Sequence, residues 1–115
     1  MLDLMTKGFS LHADALQLRA ERQKLLASNI ANADTPNYKA RDFDFGQALT
    51  TMRMNQSNEM PVPAYRVAEQ ASIDGNTVDM DKERANFMDN SVRYESTLRF
   101  INSNIRQMLT AIKGE

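Results

Sequence analysis

The chain has 115 residues, 14 Lys and Arg against 15 Asp and Glu, a net charge of −1 and no cysteine. That is one domain's worth of chain, long enough to bury a core. The near-balanced, interleaved charge argues against nucleic acid or an anionic membrane as partner, and disulfides, thiolate chemistry and Cys-based zinc sites are excluded.

Residues 1–14 carry an acid at Asp3 and no continuous apolar core, so they do not read as a cleavable secretory signal. No run of 18 apolar residues offers a membrane span. The chain is therefore expected in the cytosol, or outside it by a route that needs no cleaved signal.

Leu2 to Asn32 reads as one helix. Leu4, Leu11, Leu18 and Leu25 recur every seven residues, with small Gly8 and Ala15 between them. A second set, Leu2, Phe9, Leu16 and Ile30, has the same period but is interrupted by Gln23. The two sets lie about 160° apart on a helix, which suits either a helix held between several neighbours or one buried in a small bundle. Arg19, Glu21, Arg22 and Lys24 form either a solvated face or charges that set register between subunits.

The helix should stop near Asn32–Thr35, because Pro36 disfavours helical geometry at Thr35 and the stretch is rich in turn residues. Phe43 and Phe45 alternate with Asp42 and Asp44, a hint of short extended structure. From Thr50 to Ser72 the pattern is that of a loop, with at most a short helix around Phe45–Met54, and Met60-Pro61-Val62-Pro63 is held extended. Ile73-Asp74-Gly75-Asn76-Thr77-Val78 reads as a tight turn between short strands.

Asp79 or Asp81 should cap a last helix that ends at Lys113, before Gly114, with Glu83 in its first turn. Stepping by four and three from Met80 gives Arg84, Phe87, Ser91, Tyr94, Leu98, Ile101, Ile105, Met108 and Ile112, mostly apolar and the expected packing seam. Together these elements predict a mainly α fold. It is an elongated, coiled-coil-like antiparallel pair of N- and C-terminal helices joined by a short irregular, β-turn-containing middle. The expected divisions are 1–34, 35–78 and 79–113.

A hairpin of that kind covers one face of each helix. The second N-terminal set and the off-seam Met88, Val92, Phe100 and Leu109 should stay wet in a monomer, so the lone chain is expected to be poorly ordered and to gain stability by association.

Chemistry is sparsely supported. His12 is the single histidine and has no co-ligands at metal spacing. Asp74, Asn76, Asp79, Asp81 and Glu83 fail the calcium-loop register and read as turn and cap residues. Gly8, Gly46, Gly75 and Gly114 make no phosphate loop, and Ser10 cannot face His12 on a helix. Neither enzyme, cofactor nor metal is expected.

Ser28-Asn29-Ile30-Ala31-Asn32-Ala33-Asp34-Thr35-Pro36-Asn37-Tyr38 resembles the N-terminal signature of bacterial flagellar axial proteins, the rod, hook and hook-associated family. Leu16–Gln23 before it, Lys39–Phe45 after it and Ser72–Arg84 further on narrow the likeness to the proximal rod. The match covers about 1–45 and 72–113, and 46–71 is short for the family.

The resemblance implies export by the flagellar type III apparatus without a cleaved signal, then folding on incorporation into the periplasmic rod of the basal body. It implies that the terminal helices pair and stack into the inner tube. Implied partners are other rod subunits and the membrane-ring and export-gate proteins.

Carried onto this sequence, the assembly residues would be Leu4, Leu11, Leu18, Leu25 and Ile30 on the first helix. On the last they would be Phe87, Tyr94, Leu98, Ile101, Ile105 and Met108. Asn32, Pro36 and Tyr38 would lie in the bend that meets the next subunit. Alternatives are another rod subunit, a soluble helical-hairpin adaptor, or an export chaperone.

Overall fold

The structure is a computed structural model and describes residues 2–55, 59–65 and 73–114. Its order is α1 (Leu2–Ala31), β1 (Arg41–Asp42), α2 (Phe45–Asn55), β2 (Ala64–Tyr65) and α3 (Met80–Lys113). The two long helices set the shape, 64 × 26 × 17 Å.

Local chemistry accounts for the helix ends. At α1 the chain leaves through overlapping turns, Asn32 N–H to Ser28 O and Thr35 N–H to Asn32 O, each 3.1 Å. Asn32 Nδ2 also donates to the Ser28 carbonyl at 2.8 Å, occupying an acceptor that the ending helix exposes. Asp79 caps α3 with φ −98° and accepts from Lys82 N–H at 3.3 Å, and Asp81 and Glu83 follow in the first turn. Gly114 closes the other end in the left-handed region, φ 73°, with Lys113 in the last turn.

α1 and α3 run antiparallel. Gly8 faces Asn104, His12 stacks on Phe100 at 5.2 Å, Asn90 bonds Gln23, and Asn29 bonds Glu83. Each step along α1 is thus matched by one back along α3. α2 lies on another side of α1, where Arg53 reaches Asp14 at 3.0 Å and Ser10 at 2.9 Å. The Arg19 guanidinium sits 3.8 Å over the Phe45 ring at the start of α2, and Arg22 grips Asp42 with two bonds of 3.0 Å. The apolar core is small: Ala15, Leu18, Leu25 and Leu26 of α1, Ala40, Met52 of α2 and Ile101 of α3.

The short helix expected at Phe45–Met54 is present, but the strands are elsewhere than expected. Arg41 pairs with Tyr65 and Asp42 with Ala64, while Ile73–Asp74 forms a turn whose C-terminal arm is irregular. The arm before that turn falls in 66–72, outside the described residues. Residues after the turn have a better use for their polar groups than a hairpin ladder: they bind the segment that follows α1.

Candidate assembly surfaces

The signature segment closes on the chain itself. Asn37 N–H donates to Asp74 O at 2.8 Å, Thr77 N–H to Tyr38 O at 3.0 Å, and Ala40 N–H to Thr77 Oγ1 at 2.8 Å. Buried Asn76 donates from Nδ2 to the Asn32 and Thr35 carbonyls, 2.9 and 2.8 Å, and Lys39 Nζ donates to Gly75 O. Two left-handed residues, Asn37 (φ 62°) and Gly75 (φ 76°), let the strands of this clasp meet. A Cβ on Gly75 would lie 2.5 Å from Asn37 Oδ1.

Beneath the clasp, Asn29 is fully buried and uses every polar position. Its Nδ2 donates to Arg41 O at 2.8 Å and Glu83 Oε2 at 3.1 Å; its Oδ1 accepts from Tyr38 OH at 3.0 Å and Arg41 N–H at 3.1 Å. Asn32 and Tyr38 therefore have intrachain roles, whereas Pro36 is exposed.

The α1–α3 seam is the expected one in only one of its two rows. The fully sequestered residues of α3 are Glu83, Asn90, Thr97 and Ile101. The inner row is Glu83, Asn90 and Thr97 at seven-residue spacing, continued by half-buried Asn104 and flanked by Phe87, Tyr94, Ile101 and Met108. The predicted companion row, Arg84, Ser91, Leu98, Ile105 and Ile112, is one residue on and rotated by about 100°. Asn90 shows why: its Nδ2 donates to Arg19 O at 3.0 Å and to Gln23 Oε1 at 2.7 Å, so the residue that interrupts the second α1 stripe is a seam partner. Burial lowers the Arg19 pKa, with the Arg93 and Arg22 charges adding to the effect, and Asp89 opposes it.

The displaced apolar row faces outward along one side of the pair. Here Ala20 and Ala27 of α1 and Phe87, Ser91 and Tyr94 of α3 line an open groove beside Lys24. Ala20 is about 120° round α1 from Asp14, where α2 docks, so α2 does not cover it.

Of the α1 residues predicted for assembly, Leu18 and Leu25 are buried within the chain and Ile30 is half-buried, while Leu4 and Leu11 are exposed. On α3, Ile101 is buried, Phe87, Tyr94, Leu98 and Met108 are half-buried, and Ile105 is exposed. Phe9 and Leu16 were expected to stay wet but are half-buried, whereas Met88, Val92, Phe100 and Leu109 are exposed as expected. Glu83, Asn90 and Asn76 were missed as packing residues because nothing local distinguishes them from cap or surface polars.

Two long paired terminal helices, a clasp built from the signature segment and an uncovered apolar side are the parts of a helical structural subunit, and comparison with known proteins makes its class the flagellar basal body rod proteins. The family described as Flagella basal body rod protein matches residues 9–39, from α1 into the clasp.

Within that class the likeness is to FlgB. The flagellar basal body rod protein FlgB of Proteus mirabilis strain HI4320 is 41% identical over 135 residues, 98% of each chain. That of Salmonella typhimurium is 40% identical over 136 residues, 99% of each. The Aeromonas hydrophila protein is 43% identical over 95% of each. The chain belongs to the FlgB family. The first two alignments are longer than its own 115 residues, so these relatives carry residues that this chain lacks.

Proposed function

We propose that this rod subunit acts in the proximal, periplasmic rod, joining the membrane ring and export gate to the distal rod. It reaches that site by export without a cleaved signal and has no catalytic role. The observation that carries the reading is the side groove between α1 and α3. Its two alanines allow close approach of another helix, and its aromatic wall offers apolar surface that the chain leaves uncovered.

The assembly residues divide accordingly. Phe87, Tyr94 and Leu98 would meet a neighbour along the groove, Leu4, Leu11, Ile105 and Met108 towards the helix ends, and Pro36 at the exposed tip of the clasp. Leu18, Leu25, Ile30 and Ile101 would act from beneath, by fixing the pair that presents these surfaces.

A shaft must carry torque without slipping. Long helices resist stretching through backbone hydrogen bonds running along them, and interdigitated side chains resist sliding. A groove on one surface filled by a different surface of the next molecule is a heterologous contact, which grows into a helical array instead of closing as a dimer. The test is mass spectrometry of purified basal bodies from cells carrying the wild-type chain or Ala27→Arg. The wild type should be present and the variant absent, although it is made and exported. Absence of the wild-type chain would overturn the reading, and so would undiminished incorporation of Ala27→Arg.

A further inference from the structure

We infer that the free chain forms a closed antiparallel pair with a second copy of itself, and that this pair hides the groove used for assembly. The consequence for assembly rests on the rod-subunit reading; the pairing itself does not.

The inner row of α3 keeps seven-residue spacing, so residues seven apart hold one position relative to the seam. Two such lines border the side on which the groove opens. On α1 the line is Asp3, Ser10, Gln17 and Lys24; on α3 it is Met88, Glu95, Asn102 and Leu109. Lys24 stands at the groove itself. The helices run antiparallel, with Gly8 against Asn104 and Gln23 bonded to Asn90. Lys24 is therefore level with Met88, and Asp3 with Leu109.

Each line complements its own reverse. Asp3 is acidic where Lys24 is basic, and Ser10 and Gln17 between them are neutral. Met88 and Leu109 are apolar, 68% and 50% exposed. Glu95 and Asn102, both exposed, are an acceptor and a donor. Asp3 and Lys24 are exposed too, and neither has an ion pair among the described residues. A twofold axis across the middle of this flank, beside Ala13 and Leu98, sets Lys24 on Asp3 of the second copy. It also sets Met88 on Leu109 and Glu95 on Asn102, and each match occurs twice.

The shapes agree with the charges. Ala20, Ala27 and Ser91 hollow the flank towards the clasp, while Ile105, Leu109 and Ile112 raise it towards the open helix ends. The same axis lays the ridge of one copy over the hollow of the other. From Asp3 to Lys24 is about 32 Å, and two helices side by side are about 20 Å wide, a footprint of about 600 Å² on each copy. That lies at the small end of specific interfaces and suits a pair that opens when a subunit is incorporated.

Other arrangements fit less well. A pair aligned clasp to clasp would set Lys24 on Met88 and Asp3 on Leu109, charge against apolar surface. A lipid surface would meet both signs of charge along these borders and draw nothing from their order.

The test is sedimentation equilibrium of the full chain from low to high micromolar concentration. A monomer–dimer equilibrium is expected, and dimer formation should slow amide exchange in 3–11 and 103–113 while leaving the clasp unchanged. Lys24→Asp and Asp3→Lys should each weaken the dimer at least about tenfold, because each reversal brings like charges together twice. Mixed, the two variants should pair with each other to within about threefold of wild type. Lys7→Asp makes the same charge change as Lys24→Asp, about 120° round α1 from Ala13, and should leave the dimer intact. A chain that stays monomeric at high concentration overturns the inference. So does growth beyond the dimer, equal weakening by Lys7→Asp, or no recovery in the mixture. If the chain occurs in basal bodies but never pairs in solution, this inference falls alone. If it pairs as described but is absent from basal bodies, the rod reading falls alone.

Discussion

The Asn29 amide donates to the Glu83 carboxylate at 3.1 Å, joining the end of α1 to the first turns of α3 across 54 residues of chain, with both side chains buried. The contact fixes the helices lengthwise and in rotation, because Asn29 is simultaneously held by Arg41 and Tyr38. A buried polar pair of this kind sets register more than it adds stability.

Asn29→Ala should therefore destabilise the chain by about 2–3 kcal/mol, the order expected when buried polar groups lose their partners. Tyr38→Phe removes one donor and should cost about 1 kcal/mol. Urea denaturation followed by circular dichroism reads both, and a loss under half a kcal/mol for Asn29→Ala would mean that the clasp does not hold the helices.

Gly75 occupies φ 76°, where a Cβ would press on Asn37 Oδ1. Gly75→Ala should lose about 1–2 kcal/mol from the left-handed conformation alone, with the clash added. Asn37→Gly removes the facing side chain and relieves a non-glycine φ of 62°, so the double variant should recover much of the loss. Additive losses in this cycle would show that the two residues do not meet.

Ile101 and Ala27 separate folding from assembly. Ile101 is buried between the helices, so Ile101→Asp should destabilise the isolated chain by about 3 kcal/mol or more and fail for that reason. Ala27 is exposed at the groove, and Ala27→Arg should leave the urea midpoint within about 0.5 kcal/mol of wild type while blocking incorporation. Matched melting curves for the two variants would contradict this division.

Arg22 holds Asp42 through two nitrogens at 3.0 Å, a geometry that lysine cannot copy. Arg22→Lys should cost about 1 kcal/mol and loosen β1 and the start of α2, seen as faster exchange of the amides in 41–46.

Hydrogen exchange of the isolated chain should show a gradient. Amides of 18–30 and 83–101, next to the buried polar seam and the clasp, should exchange slowest. Those of 3–11 and 103–113, where apolar side chains are exposed, should exchange fastest. Uniform protection along both helices would mean that the helix ends are held as firmly as the buried seam.

Periodicity and end chemistry were enough to place both long helices, the Gly114 cap and the short helix after Phe45, and to narrow the N-cap of α3 to Asp79 or Asp81, because each depends on residues a few positions apart. They also sufficed to find two apolar rows on α1, but not which neighbours cover them. The rotation of α3 was not readable in this way. Its apolar rows favour Arg84, Ser91, Leu98 and Ile105 as companions of Phe87 and Tyr94, yet the fold turns Glu83, Asn90 and Thr97 inward. That choice depends on acceptors and donors from Arg19, Gln23 and Asn29, which lie more than fifty residues away and become neighbours only when the chain has folded. A turn of about 100° is invisible to local pattern but decides which row is buried and which is left for another molecule.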